Sequence, residues 1–366
     1  MKILHITETS EGASGVATFV RELCRSLAAR GVESRVLTQD DFARDGFAPV
    51  AQAAWDIVHI HGLWLPFYHQ AASWARLRGI PVVWSTHGMT APWSMRHKRW
   101  KKRLAWGLYQ KRDLLRAAAI HCTTELEAGW NRDRGLKKDF VVPLGTEIKP
   151  RNTQNTRKNG ERVLLFVGRI YPVKGLVNLI RAWQLAVSSQ KIAVSGERGA
   201  VSSQQIAVSG ERWILRIVGP DEAGHQAELE KLVAELALEE SVAFTGPKFK
   251  EDLEREYEAC DCLVLPSFTE NFGATVVDAL AHGKPCIAST FTPWEELQTR
   301  GCGWWTGNEP PVLAQAIRDM MDMDDDGRCE MGVRGRRLVE EKYIWAAVAE
   351  AMVREYERIC HDGRTC

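Results

Sequence analysis

Apolar positions in this chain fall into two kinds of run. Short stretches without polar alternation recur at Lys2–Thr7, Asp56–His61, Pro81–Thr86, Val163–Val167, Trp213–Val218 and Cys262–Leu265. A strand buried on both faces of a parallel sheet reads this way, because it has no solvent side to alternate toward. Between them, apolar residues return at three- and four-residue spacing, as in Val16–Arg30, Ala274–His282 and Ile344–Ile359. Helices packed by one face carry that pattern. Ser34–Thr38, Ile120–Thr123 and Val141–Pro143 complete a first strand series, and Val242–Thr245 and Pro285–Ala288 a second. Strands alternating with helices predict an α/β fold with doubly wound parallel sheets. Arg151–Gly160 is polar and apolar-free and predicts a linker between two domains.

Composition narrows the classes. A length of 366 residues suits two domains better than one core. With 48 basic and 47 acidic residues the chain is nearly neutral, which speaks against nucleic acid as a partner. No apolar run approaches the ~18 residues that would cross a bilayer, and the first residues do not form a signal peptide. Nine cysteines lack paired zinc spacing, so a reducing cytoplasm is the expected location.

The stretch Pro266–Ser289 carries the first chemistry. It follows a predicted buried strand, delivers Glu270 just before Phe272-Gly273, and continues into a helix ended by Gly283. Ligands of open α/β sheets bind outside the carboxyl ends of strands. The loop therefore offers backbone amides, a positive helix end and a carboxylate, a set suited to a polyhydroxylated anion. Asp278, eight residues after Glu270, is a second carboxylate. Glu270 could instead be an ordinary acid stabilising a helix N-terminus. Gly168-Arg169-Ile170-Tyr171-Pro172-Val173-Lys174-Gly175 also links a strand to a helix. Its two cations can hold a diphosphate, Arg as a planar fork and Lys as a point charge. As a merely solvated pair they would sit poorly against the helix dipole.

These motifs resemble retaining glycosyltransferases of family 4. Two acids eight apart around Phe-Gly, then A-L-A-H-G-x-P, look like that family's E-x7-E signature, and Gly168–Gly175 matches its G-R-x-x-x-x-K-G. The resemblance implies the GT-B fold, two Rossmann-like doubly wound domains facing a cleft. Residues 1–155 would bind the acceptor, 156–343 the nucleotide sugar, and 344–366 would form a helix crossing back to the first domain. It implies a nucleotide diphosphate sugar as co-substrate with no resident cofactor and no metal. Arg169 and Lys174 would stabilise the leaving diphosphate, Glu270 would bind donor-sugar hydroxyls, and Asp278 the ribose. Asn271, Phe272, Gly273, Ala274 and Thr275 would contact phosphate or sugar, and Gly15 and Gly219 would complete the donor's surroundings.

In the first half, His61 and His87 each end a strand and precede a glycine. The strings HGLWLP and THGMTAPW resemble a bacterial branch of the family, which places His87 near the reacting sugar and His61 with Gly12 on the acceptor side. His59 is expected to be structural. The chain departs from the family at three points. Asp278 stands where Glu is usual, Glu8–Gly15 lacks adjacent glycines, and P-L-G at 143–145 replaces P-N-G. The first glycine loop is also not G-x-G-x-x-G, which argues against a nicotinamide dehydrogenase.

Three segments stand apart. Pro92–Arg112 holds nine Lys, Arg or His with three Trp and a Tyr, the composition of an interfacial helix on anionic lipid or of a solvated helix packed by its tryptophans. Ala186–Gly199 is repeated with two differences as Ala200–Trp213, an expected surface-loop enlargement of low entropic cost. The acids of Asp322–Asp326 lie between helices, away from strand ends. The expected activity is transfer of a sugar to an acceptor hydroxyl, in bacterial cell-surface polysaccharide or lipid-linked saccharide synthesis. The rival readings are a non-catalytic nucleotide-sugar-binding subunit and a nucleotide-sugar 2-epimerase.

Overall fold

The computed structural model describes residues 1–10, 15–96, 98–148, 161–195 and 212–364. The chain forms two compact units, Met1–Gly145 with Lys342–Cys366, and Thr146–Glu341.

The first unit is built on six parallel strands, β1 (Lys2–Thr7), β2 (Glu33–Thr38), β3 (Ile57–His61), β4 (Val82–Ser85), β5 (Ala119–Cys122) and β6 (Asp139–Val141), in the order β2-β1-β3-β4-β5-β6. Side chains alternate across a strand, and each face feeds its own core. Leu4, Ile6, Val58, Ile60, Val82 and Trp84 pack with Phe67, Tyr68 and Ala71 of the helix Pro66–Leu77. Ile3, Ile57, Val83 and Ala119 pack with Phe19, Val20 and Leu23 of the helix Gly15–Ala28. Val348, Met352 and Tyr356 of the final helix, Trp345–Arg364, complete that second core. The chain divides at Gly145, ahead of the polar stretch 151–160, which lies outside the described residues. Gly145 lies flat against Trp345, where a Cβ would come within 2.4 Å of the indole.

The second unit has β7 (Glu161–Val167), β8 (Arg212–Val218), β9 (Val242–Phe244), β10 (Cys262–Leu265), β11 (Cys286–Ser289) and β12 (Gly303–Thr306), all parallel, in the order β12-β11-β10-β7-β8-β9. Strand β12 falls outside the apolar runs that predicted the other strands. It pairs with β11 at the sheet edge and is only half-buried, so it lacks a buried strand's apolar run. The duplication is a correction where it is described. Its first copy begins inside the helix Leu176–Ser195, with Ala186 and Val187 buried, because no helix breaker precedes Gly196. Residues 196–211 lie outside the described residues.

Pro92–Arg112 is not one helix. Helices Pro92–Arg96 and Arg99–Ala105 are separated by Lys98 in the left-handed region (φ 51°), and a π-helical turn spans Trp106–Gln110. Trp106 packs against Trp64, and the Tyr109 hydroxyl donates to the Trp64 carbonyl. Trp93, Trp100, Leu104 and Leu108 face outward. Among the described residues, no helix is long and apolar enough to cross a membrane.

One layer of the first unit is polar where a core is usually apolar. Beyond Ile3, Ile57, Val83 and Ala119, the same sheet face carries His5, His59, His61, Ser85 and His121, all essentially inaccessible. His59 Nδ1 lies 2.6 Å from the Tyr356 hydroxyl and its Nε2 lies 2.7 Å from Ser85 Oγ. Ser85 Oγ in turn meets His121 Nδ1, whose other nitrogen contacts the Val142 carbonyl at 2.8 Å. Burial pushes His5 down to about 3 and His87 to about 4. Burial first, then repulsion from neighbouring imidazoles, holds His59 and His61 well below the usual histidine range, and burial lowers His121.

Two outcomes follow. Tyr356→Phe leaves His59 Nδ1 without its partner, and a lower melting temperature should report a loss of about 1–3 kcal/mol. The buried imidazoles stay neutral in the fold while their unfolded counterparts take up protons below about pH 6.5. The unfolded state then binds more protons, so stability should fall as pH drops from about 6.5 toward 4, each such histidine adding about 1.4 kcal/mol per pH unit. Denaturant melts across that range check the slope, which should be shallower in His121→Asn.

Candidate active site

In the second unit the site grows from the loop after β7. Gly168 ends the strand, its N–H donating to the Val218 carbonyl at 3.0 Å. A Cβ on Gly219, after β8, would lie 1.8 Å from the Gly168 carbonyl oxygen. Gly219 is therefore a close-approach position between neighbouring loops. Pro172–Lys174 then forms a 3-10 turn, and Gly175 closes it at φ 71°, where a Cβ would lie 2.2 Å from the Pro266 carbonyl oxygen. That contact sets the loop after β7 against the loop after β10, and the Phe268 N–H donates to the Val173 carbonyl at 2.8 Å.

Across this junction Lys174 Nζ donates to Glu270 Oε1 at 2.5 Å, and Ser267 Oγ donates to the same oxygen at 2.8 Å. Both partners are largely buried, with 15% and 13% of their side chains exposed. Glu270 Oε2 has no partner among the described residues. Glu270 is no helix-capping acid, because the following helix, Ala274–Ala281, starts four residues later. No side chain caps that helix, and Gly273 precedes it in the left-handed region (φ 80°). Phe272 is buried against Trp294, whose indole N–H donates to the Phe272 carbonyl at 2.6 Å. Ala274 and Thr275 open the helix, and Asp278, half-buried on it, accepts from Thr146 Oγ1 at 2.9 Å.

Arg169 has a different partner from Lys174. It does not turn to Glu270; its guanidinium, 57% exposed, binds Glu222 on the loop after β8 at 2.7 Å. Asp325 of the acidic run binds Arg162 and Arg328, and Asp324 accepts from the Gly327 N–H, so these acids act within the fold.

In the first unit, His61 and His87 come together, with Nδ1 of His61 3.3 Å from Nε2 of His87. His61 is buried and its Nε2 lies 3.0 Å from His5 Nδ1, whereas His87 keeps partial exposure. His87 sits in the left-handed region at φ 47°, an unusual conformation for a residue with a Cβ. Glu127 holds this loop. Its carboxylate, fully buried, accepts from Thr86 Oγ1 and the Gly88 N–H at 2.6 Å each, and from the Thr123 N–H and hydroxyl at 2.8 and 2.9 Å. Sequence reasoning passed over Glu127, although Thr124 and Glu127 form a T-x-x-E capping pattern, with Thr124 Oγ1 accepting from the Glu127 N–H at 3.1 Å. It also passed over Ser267, Glu222, His5 and His121, which stand in no motif. Gly15 begins the first helix with open space around it, while Gly12 lies outside the described residues.

Nitrogens of His5, His59 and His61 lie within 4.8 Å of one another, the one group among the described residues with metal-ligating spacing. Both nitrogens of His59 are already engaged by Tyr356 and Ser85, and His5 and His61 face each other.

Comparison with known proteins agrees with this layout. Residues 148–337 match the model of glycosyl transferases group 1, and residues 42–145 match a glycosyl transferase 4-like domain. The D-inositol 3-phosphate glycosyltransferase of Kineococcus radiotolerans is 31% identical over 246 residues, 62% of this chain and 53% of that protein. The enzyme of the same name from Corynebacterium diphtheriae is 29% identical over 60% of this chain and 51% of its own length. The matched part thus spans about half the length of these curated relatives. Among solved structures, sucrose-phosphate synthase from Thermosynechococcus elongatus superposes with a TM-score of 0.70 at 19% identity, covering 98% of this chain and 99% of that one. Anabaena Alr3699/HepE in complex with UDP gives 0.72 at 18% identity, covering 98% and 100%. These likenesses establish the two-domain GT-B architecture. With the group 1 model matching just over half of its 366 residues, and Lys174 and Glu270 inside that match, the chain belongs to the glycosyl transferases group 1 family.

Proposed function

We propose that this protein is a retaining, metal-independent glycosyltransferase that moves a sugar from a nucleotide diphosphate sugar to an acceptor hydroxyl. The observation that carries the reading is the Lys174–Glu270 pair, fixed at the carboxyl ends of β7 and β10 beside an uncapped helix N-terminus. The names of the relatives, and the UDP bound by a structural neighbour, support a nucleotide sugar as donor.

In this reading the negative charge that develops on the departing diphosphate meets Lys174, Arg169 and the amides of the helix Ala274–Ala281. Glu270 Oε2 accepts from donor-sugar hydroxyls while Oε1 holds Lys174 in place. The rate gain comes from electrostatic stabilisation and from orienting two substrates. The acceptor is a saccharide or lipid-linked saccharide of cell-surface synthesis, and the enzyme works in the cytoplasm.

Lys174→Ala and Arg169→Ala should each lower turnover on the order of 100-fold at saturating donor. The melting temperature should be little changed in Arg169→Ala, whose pair is exposed, and lower in Lys174→Ala, which leaves the largely buried Glu270 carboxylate uncompensated. Steady-state kinetics with UDP-glucose and other nucleotide sugars check this. A donor at 100 times its dissociation constant should stabilise the protein by about 2.7 kcal/mol, which a thermal-shift panel reads directly. Stabilisation without turnover of any donor would favour the non-catalytic subunit, and near-normal rates in both variants would remove these cations from the site.

The enzyme also docks peripherally on an anionic membrane face through residues 92–112. Exposed Trp93, Trp100, Leu104 and Leu108 are flanked by exposed Lys98, Arg99, Lys101 and Arg103. Lys102 is turned back onto the Ser94 carbonyl at 2.6 Å and contributes less. Each basic residue near such a surface adds about 1 kcal/mol, lost beyond a Debye length. Changing Lys98, Arg99, Lys101 and Arg103 to Gln should strongly weaken cosedimentation with phosphatidylserine-containing vesicles, and high salt should do the same to the unaltered protein. No binding of the unaltered protein at low salt would refute the docking.

A further inference from the structure

Three histidines of the first unit form a file. Nε2 of His87 faces Nδ1 of His61 at 3.3 Å, and Nε2 of His61 faces Nδ1 of His5 at 3.0 Å. The file ends at His5 Nε2, which is buried without a hydrogen-bond partner among the described residues. The rings meet end to end in nearly parallel planes, with centroids 5.5 Å apart at 28° for His61–His87 and 5.2 Å apart at 25° for His5–His61. The edge of Phe19 closes on His61 and His87 at 5.9 and 5.5 Å, so the rings have little room to turn.

A neutral imidazole has one donor and one acceptor nitrogen. Burial keeps these three rings neutral, so each of the two contacts needs one N–H and one lone pair. Only two arrangements satisfy both contacts. If every proton points toward His5, the file ends in a buried N–H with no acceptor. If every proton points toward His87, it ends in a bare lone pair on His5 Nε2. Orphaned buried N–H groups are rare in folded proteins, and under-satisfied acceptors are better tolerated. The orphan at His5 thus selects the second arrangement. In it His5 Nδ1–H donates to His61, His61 Nδ1–H donates to His87 Nε2, and the proton of His87 stands on Nδ1.

We propose that His5 and His61 are positioning residues that hold His87 as the neutral Nδ1–H tautomer, so that His87 offers a hydrogen-bond donor to an oxygen of the bound sugar or its phosphate. This rests on the reading of His87 as ligand-facing, but the tautomer itself exists without ligand. The left-handed backbone at His87 and the clamp of Glu127 on Gly88 fix where that ring stands. The two buried histidines fix which nitrogen carries its proton. A lone imidazole of the same shape could exchange tautomers and present a lone pair instead.

The test is two-bond proton–nitrogen correlation of the ligand-free protein labelled with 15N-histidine at pH 7.5, with His87 assigned from the spectrum of His87→Gln. The Nδ1–H form of His87 should exceed the Nε2–H form at least about tenfold. His5→Asp, whose carboxylate only accepts, should draw the His61 proton to Nε2 and turn His87 to the Nε2–H form. A dominant Nε2–H form in the unaltered protein would overturn the proposal, as would an unchanged tautomer in a folded His5→Asp. Stoichiometric metal on the purified protein, lost in His5→Leu, would also overturn it, since the nitrogens would then be ligands. If His5→Asp does not fold, the spectrum of the unaltered protein decides alone. Should the tautomer be as stated while His87→Gln leaves UDP-glucose turnover unchanged, the ligand-facing reading fails and the file stands.

Discussion

Lys174 reaches Glu270 because no side chain stands between residue 175 and the Pro266 carbonyl. Gly175 adopts φ 71° there, and any Cβ would lie 2.2 Å from that oxygen. On the other flank of β7, Gly219 has no room for a Cβ beside the Gly168 carbonyl. The loop after the central strand is thus stitched to the loop of each neighbouring strand, β10 on one side and β8 on the other. The first and last glycines of the G-R-x-x-x-x-K-G motif lie at these two seams. Its cations then have fixed partners, Lys174 in the β10 loop and Arg169 in the β8 loop. A lysine and a glutamate this buried would be costly apart, and single substitutions in such pairs leave an uncompensated charge. Ser267 shares the same carboxylate oxygen and is itself fixed by Ser289 Oγ, which donates to its carbonyl at 2.5 Å.

Most strands were legible because burial on both faces leaves no polar alternation, and β10 falls on Cys262–Leu265 as read. Strand β12 was not legible, since an edge strand of two tryptophans and a glycine has neither an apolar run nor alternation. Lys174 and Glu270 were legible as residues of strand-end loops because each loop follows an apolar run, β7 and β10, which are neighbours in the sheet. Partner choice was not. Arg169 pairs with Glu222, about fifty residues away, a pairing set by strand order rather than by local pattern. The basic segment 92–112 read as one helix, because composition shows charge and aromaticity but not the left-handed break at Lys98. Ordinary helix-start signals, Thr124 and Glu127, concealed the buried carboxylate that shapes the His87 loop.

The two units handle polarity in opposite ways. The second keeps charge at its carboxyl edge and neutralises it in pairs, leaving one carboxylate oxygen of Glu270 outside the pair. The first buries its polar groups inside the sheet-to-helix layer and keeps the imidazoles neutral, so hydrogen bonds rather than ion pairs do the positioning. Low dielectric strengthens such bonds and also makes each missing partner expensive. A layer of this kind is specified by all of its members together. Tyr356, on the last helix, is one of them, so the C-terminal segment belongs to the polar layer as much as to the apolar core around it.

This arrangement explains how a strained residue is kept. A left-handed histidine costs of order 1–3 kcal/mol and persists only when its surroundings over-determine it. At His87 the surroundings do so from both sides in sequence. Glu127 takes the hydroxyl of Thr86 before it and the N–H of Gly88 after it, and Glu127 is itself held by both donors of Thr123 at the end of β5. The strain is thus balanced by four hydrogen bonds to one buried carboxylate, which would be among the costliest groups in the unit if left unsatisfied. Relaxing the loop would orphan that carboxylate, so the backbone at His87 is held by the fold itself.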